Sequence, residues 1–409
     1  MCSRHVKARV VQRVEQVAVV AVTKSSAATN PPAGNFHWGL VFAGVLGVCV
    51  PLMAAVLPEN RADVMYHSYS GGGLEVNGPS ILARKSIGKY TSVWGNYYVD
   101  TISSATIDVV TSASKYTEER TEKTLGADYL YDNTTLSLSY TNSVENDFDA
   151  NAVNFGVSQL MFGDLTTVTL GYAKGWDVIT ATGSPSFEEE ANRQKYKLGL
   201  SQVLTKNLLL GLNFETITDE GFLNNPYRSV RYLVSPTSYA TESEVYPNTR
   251  TSHAVAMRAL YYLPYRAAIR GEMRGYTDTW GINGNMAELG YVHPTKQGLT
   301  YEISYRVYSQ SSADFYSDLF NGSAEFIYRA RDKELSTYST QTIGLGVSYE
   351  FKKHGWGFID KGSANLFYNR IQIDYENFRD LRVASATPGT EPLYSLSANV
   401  FRIFVSAWY

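Results

Sequence analysis

Cysteine is almost absent from this 409-residue chain: Cys2 and Cys49 are the only two. Everything after residue 49 therefore lacks the material for a disulfide, a thiolate zinc site or a CxxCH haem attachment. Long apolar runs are equally scarce. The stretch WGLVFAGVLGVCVPLMAAVL at 38–57 stands alone, and nothing beyond it approaches the ~18 residues that a spanning helix needs. Charge is thin as well, with Asp, Glu, Lys and Arg making up 18% of residues, against roughly a quarter in soluble domains. The net charge of −3 lacks the basic footprint of a nucleic-acid partner. No HExxH, EF-hand loop, GxSxG element or phosphate loop occurs, so the reading is a non-enzyme with no cofactor and no metal site. His67, His253, His293 and His354 share no ligand spacing and read as residues of turns or of a membrane interface.

What the chain does have is tyrosine (31) and glycine (32). Tyrosine joins an apolar ring to a polar tip and suits a membrane–water boundary. The apolar run ends at Pro51 and the small residues Ala54 and Ala55, ahead of PENRAD, which is the order of a secretory leader. Cleavage after Ala54 or Ala55 is expected, giving a signal peptide with a long N-terminal extension over 1–54 and one mature unit over 55–409. Without residues 1–54, which hold five of the 36 basic and one of the 39 acidic residues, the net charge moves from −3 to −7.

With no spanning helix, a membrane can be crossed only by a closed barrel, because lipid offers no partner to a free backbone N–H. Its signature is a series of segments of about ten residues alternating apolar with polar or small. Leu208, Leu210, Leu212 and Phe214 alternate with Gly211, Asn213 and Glu215. Tyr301, Ile303, Tyr305 and Val307 alternate with Glu302, Ser304 and Arg306, and Ile343–Phe351 repeats the pattern. The segment 361–375 changes its apolar face near Phe367, which predicts a bulge or a register other than the one assigned. Tight links (Asp132–Asn133, Gly163–Asp164, Thr205–Lys206, Pro264–Tyr265) alternate with long ones near 177–190, 219–248, 309–338 and 376–394, the asymmetry of periplasmic turns and external loops. The end reads FRIFVSAWY, where Phe401, Ile403, Val405, Trp408 and Tyr409 form an aromatic-ended strand of the kind that the outer-membrane insertion machinery reads. The expected fold is an all-β transmembrane antiparallel barrel in the bacterial outer membrane. About fifteen segments are legible from Leu74 onward, and even parity then gives about 16 strands if Asp63–Tyr69 joins the wall, or 14 if it lies in the lumen.

Several stretches resemble a family of uncharacterised proteobacterial outer-membrane proteins, DUF3570: ADVMYHSYSGGGLEVNGPS (62–80), GNYYVDTISSATIDVVT (95–111), TDEGFLNNPYRSVRYL (218–233), EVYPNTRTS (244–252), YYLPYRAA (261–268), ADFYSDLF (313–320) and RDKELSTYS (331–339). The resemblance spans the mature chain and implies a secreted barrel. It implies no substrate and no active site, but it does suggest a link to envelope redox work.

Two groups of residues are candidates for function. Arg258, Arg270, Glu272, Arg274, Glu288, Glu302 and Arg306 fall on the faces opposite the apolar ones, and a charge turned to lipid at mid-depth would cost about 2–4 kcal/mol. They are expected to face the lumen, as a ladder that stiffens the barrel or as a path for a polar solute. Tyr227, Arg228, Arg231 and Tyr232 in one long loop, and Asp314, Tyr316 and Asp318 in another, are expected to form a constriction, a binding face or a solvated surface. A channel or transport pore for a small polar solute is the leading expectation. A binding or assembly scaffold for an envelope protein, redox-linked or not, is the alternative, and an outer-membrane hydrolase ranks last.

Overall fold

A computed structural model describes residues 56–104, 116–351 and 357–409. The leader assigned to 1–54, and His354, lie outside the described residues. Eighteen strands follow in order: β1 (Arg61–Gly71), β2 (Leu74–Ile87), β3 (Thr91–Ser104), β4 (Tyr116–Tyr131), β5 (Thr134–Glu145), β6 (Phe148–Met161), β7 (Thr166–Thr180), β8 (Glu188–Thr205), β9 (Leu208–Gly221), β10 (Ser229–Ser235), β11 (Ser238–Ser243), β12 (Thr249–Tyr262), β13 (Ala268–Asp278), β14 (Asn283–Pro294), β15 (Leu299–Gln310), β16 (Tyr338–Phe351), β17 (Lys361–Arg379) and β18 (Leu393–Trp408). Sixteen of them close into one antiparallel barrel, and β10 and β11 form a separate hairpin between β9 and β12. β1 is a wall strand. It pairs with β18 from Arg61–Trp408 to Gly71–Ala398 and so closes the ring. The count is therefore 16 rather than 14.

Alternation along each strand sorts the side chains. Leu170, Leu198, Phe214, Val255, Leu289, Ile303 and Leu345 are exposed on the outer face. Toward the end with tight turns the outer face carries Tyr129, Tyr261, Tyr301 and Tyr349, and toward the other end Tyr66, Tyr140, Trp176 and Tyr196. These are the two aromatic girdles of an apolar belt. No helix among the described residues is long and apolar enough to cross a membrane. A closed barrel with an even strand number and such a belt is a protein of the bacterial outer membrane.

The two ends differ. Two-residue turns such as Asp132–Asn133 and Lys206–Asn207 lie at one end, and the segments 181–187, 222–248, 311–337 and 380–392 at the other, external end, which also carries the two-residue links Gly72–Gly73 and Asn146–Asp147. The first of these is shorter than the expected 177–190, because β7 runs on to Thr180 and β8 restarts at Glu188. The bulge expected near Phe367 is not there. β17 pairs with β18 without a break from Lys361 to Asp374, and the register shifts only between Asp374 and Arg379. The apolar face changes because the surroundings change with depth. Leu366 faces lipid, whereas higher on the strand Ile371, Ile373 and Tyr375 are buried inward and Arg370 points out.

Candidate functional site

The inner wall from β8 to β15 is a lattice of ion pairs. Arg258, Glu272, Glu288 and Arg306 are direct cross-strand partners on β12, β13, β14 and β15, so a single row crosses four strands. Arg258 meets Glu272 at 2.7 Å. The Arg306 Nε donates to Glu288 at 2.7 Å. Arg270, one step lower, reaches Glu288 at 2.9 Å and Glu302 at 2.5 Å. It gets there by lying across Gly290, where a Cβ would fall 2.7 Å from its Nε. Arg274 pairs with Glu215 of β9 at 3.4 Å rather than with any of the three carboxylates named from the sequence. Glu215 also takes Lys195 at 3.0 Å and Lys197 at 3.4 Å. Sequence reasoning passed over Lys195 and Lys197, although both share the inward parity of β8.

A second inward cluster sits on β1, β3 and β4. His67 Nε2 is 2.5 Å from Asp100 Oδ1 and 3.0 Å from the Tyr98 hydroxyl, and its ring stacks on Tyr98 at 4.9 Å. Arg120 donates to the other oxygen of Asp100. His67 is thus neither in a turn nor at the interface, which corrects the expectation. The signal lay in the parity of β1, where Asp63, Met65 and His67 alternate with Val64 and Tyr66. His253 does sit on the outer face, beside Phe214, and its Nδ1 meets the Thr216 hydroxyl at 3.0 Å.

The external loops fold over the mouth. Leu223, Tyr246, Trp280, Ile282, Ala313, Ala330 and Leu335 form one buried apolar core with Ile179 and Ala191. The last two lie on the inner faces of β7 and β8, so the loops that pack on them are inside the ring at that level. Tyr246, Trp280 and Phe315 come from three different connections and meet edge-on or tilted, with ring centroids 5.2–5.5 Å apart. Such aromatic contacts contribute about 0.5–1.5 kcal/mol each beyond their burial.

Ion pairs lock this cap. Arg231, 1% exposed, sits between Asp318 and Glu391, with Glu391 Oε1 at 2.7 Å. Arg331 reaches the same Asp318 at 3.0 Å. Arg228 pairs with Asp332, and Tyr232 bridges Phe320. Tyr227 donates to Asp147 and accepts from the Thr182 N–H at 2.6 Å. The Asp314 N–H donates to the Trp280 carbonyl at 2.8 Å, and the Tyr316 hydroxyl to the Asn377 carbonyl at 3.0 Å. The two candidate loops are thus joined to each other and, through Glu391, to a third. Glu391 had no sequence signal, because its partner is 160 residues away.

Residues 108–359, more than half of the chain, match a family model described as a protein of unknown function, DUF3570. The chain belongs to the DUF3570 family. None of the curated proteins compared with it matches. Among solved structures, this family member is similar to a bacterial polysaccharide outer-membrane secretin (8% identity, TM-score 0.48, covering 86% of this chain and 99% of that one). It is also similar to OmpT, an outer-membrane protein of Vibrio cholerae (10%, 0.42, 87% and 100%). A third similar structure is OccK2 of Pseudomonas aeruginosa, solved with glucuronate (9%, 0.41, 86% and 96%). At such identities the likeness is one of barrel shape and reaches no particular residue.

In this DUF3570 barrel the C-terminal candidates line the closing seam. Phe401, Ile403 and Val405 are exposed on the outer face. Lys361 lies over the Trp408 ring at 4.8 Å, and the Tyr409 hydroxyl donates to the Arg84 carbonyl at 3.1 Å. Among the described residues no group of three or more His, Cys, Asp or Glu side chains is arranged to hold a metal ion.

Glu244 gives the cap a pH dependence. It is buried, accepts the Tyr246 hydroxyl at 2.6 Å and the Arg331 N–H at 2.7 Å, and burial pushes its carboxyl up to about 7. An acid raised on folding stabilises the folded form below its ordinary value, and that contribution is lost as pH rises through the folded value. Proteolysis of the 222–248 loop is therefore expected to accelerate as the pH rises from about 5 to 7 and to level off above that, with the rise flattened in Glu244→Gln. An unchanged pH profile in the variant would remove Glu244 as the cause.

Proposed function

We propose that the chain is an outer-membrane channel for small polar solutes, with the interlocked external loops controlling entry. One observation carries the reading. The Arg274 side chain points inward from β13, yet 42% of it is accessible. An accessible charged group inside a closed ring supports a water-filled lumen at that depth, and a sixteen-stranded wall is wide enough for one. The cap is built rather than loose, with an apolar core and a buried arginine, so it suits a gate better than an open porin mouth. On this reading the chain is a conduit and not an enzyme. In planar bilayers the purified barrel is expected to give discrete conductance steps. A folded barrel that stays silent both as wild type and with the cap broken by Arg231→Ala would overturn the channel.

A binding scaffold is the second reading, favoured by apolar side chains on top of the cap. Val234 on the β10–β11 hairpin is 64% exposed, and Ile327 and Phe326 in the 311–337 loop are 80% and 57% exposed. Glu242 of the hairpin accepts from Ser323 and Ala324 of that loop, which ties the open end of the hairpin to the loop that carries Phe326 and Ile327. A protein that co-purifies with wild type and is lost with Ile327→Asp would favour this reading over the channel.

A further inference from the structure

The inner wall is mixed in sign by composition, but along one strip of it the cations are more accessible than the carboxylates that hold them. Glu215, Glu272 and Glu288 have side chains 19%, 11% and 4% accessible. Four of the cations bound to them reach further: Arg274 is 42% accessible, Arg258 33%, Lys197 29% and Arg306 16%, whereas Lys195 at 10% and Arg270 at 6% stay close to the wall. In the pairs made by those four the carboxylate lies against the wall and the cation covers it. The reason is geometric. A Glu side chain is short and accepts from neighbours across the ladder. Arg and Lys are longer, so their stems run over the carboxylate and their heads point to the water. Glu215 shows the largest local excess, since three cations, Lys195, Lys197 and Arg274, share one carboxylate.

We infer that this strip, on β8, β12, β13 and β15, is an anion-selecting wall, and that the solutes carried are small anions bearing carboxylate or phosphate groups. The inference rests on the channel reading and adds the sign of the cargo. A confined row of guanidinium and ammonium heads with low-dielectric walls concentrates anions and repels cations. Guanidinium also matches the two-oxygen face of a carboxylate or phosphate. Exchange from one head to the next supports passage rather than trapping, because each site is weak.

Reversal potentials across a KCl gradient test it. The wild type is expected to favour chloride several-fold, and inorganic phosphate added on one side is expected to reduce the chloride current. Arg274→Gln with Lys197→Gln removes two of the heads while leaving Glu215 paired to Lys195, so the wall keeps its anchor. This variant should move the permeability ratio to near unity or below. Heat-modifiable migration checks that it has folded. If the double variant does not fold, Arg274→Lys keeps the charge and should keep the preference, whereas Arg274→Gln alone should weaken it. A conducting wild type that prefers potassium, or one whose chloride preference survives the loss of both heads, would overturn the anion assignment and leave the channel standing. Absence of any conductance in both the wild type and the cap-broken form would overturn the channel itself, and the anion assignment with it.

Discussion

Arg231→Ala will open the external cap and leave the barrel folded. Arg231 is held by Glu391 at 2.7 Å and by Asp318, and it is almost fully buried. Deleting it strands Glu391 in the loop core and leaves Asp318 paired with Arg331, and breaking a buried pair by removing one partner costs about 3–5 kcal/mol. In the intact cap the Arg231 head keeps its charge: burial works against it, but the bonds to Glu391 and Asp318 outweigh that and push its pKa up. The penalty falls on the contacts among 222–248, 311–337 and 380–392, not on the ring, because no wall pairing includes Arg231. Protease cleavage within these loops should rise at least tenfold, and mean conductance in bilayers should increase, while heat-modifiable migration stays normal. Cleavage at the wild-type rate would show that the aromatic core of Tyr246, Trp280 and Phe315 holds the cap without the ion pair.

The other large effect is expected on the outer face. Leu345 is 48% exposed near the middle of β16, flanked by Ile303 of β15 and Tyr368 of β17. Leu345→Arg puts a cation against lipid at mid-depth and should cost about 2–4 kcal/mol of folding stability. Gly344, its neighbour in sequence, points inward toward Ser304 and Asn369. The measurement is denaturant unfolding in lipid vesicles, with Leu345→Ala as the control for lost packing. A loss no greater than that of the alanine variant would mean that this part of β16 does not touch lipid.

Much of the architecture was legible from residue order because a strand has only two faces. In lipid, one face must be apolar along the whole belt, so Tyr301, Ile303 and Tyr305 place Glu302 and Arg306 inside without any knowledge of neighbours. The same rule placed Arg258, Arg270, Glu272 and Glu288. It failed where the strands leave the belt. On β17 the apolar residues Ile371 and Ile373 turn inward, where they pack with Tyr375, Phe378 and Tyr394 in an apolar cluster of the wall strands β17 and β18. The inward parity of His67 was equally readable, but isolated histidines carry no spacing and Asp100 is 33 residues away.

Sequence order alone determined the period, the inward parity of the charges and the alternation of short and long connections, because each is a local consequence of chain geometry in two solvents. It could not determine which charges meet. Arg274 pairs with Glu215 across β12, and Arg231 pairs with Glu391 across 160 residues. Such partners are set by register, shear and loop docking, which exist only once the ring has closed between β1 and β18. The unequal exposure of cations and carboxylates along one strip of the inner wall belongs to the same class. It follows from how side chains of different length stack on a curved surface, and only the tertiary structure fixes that surface.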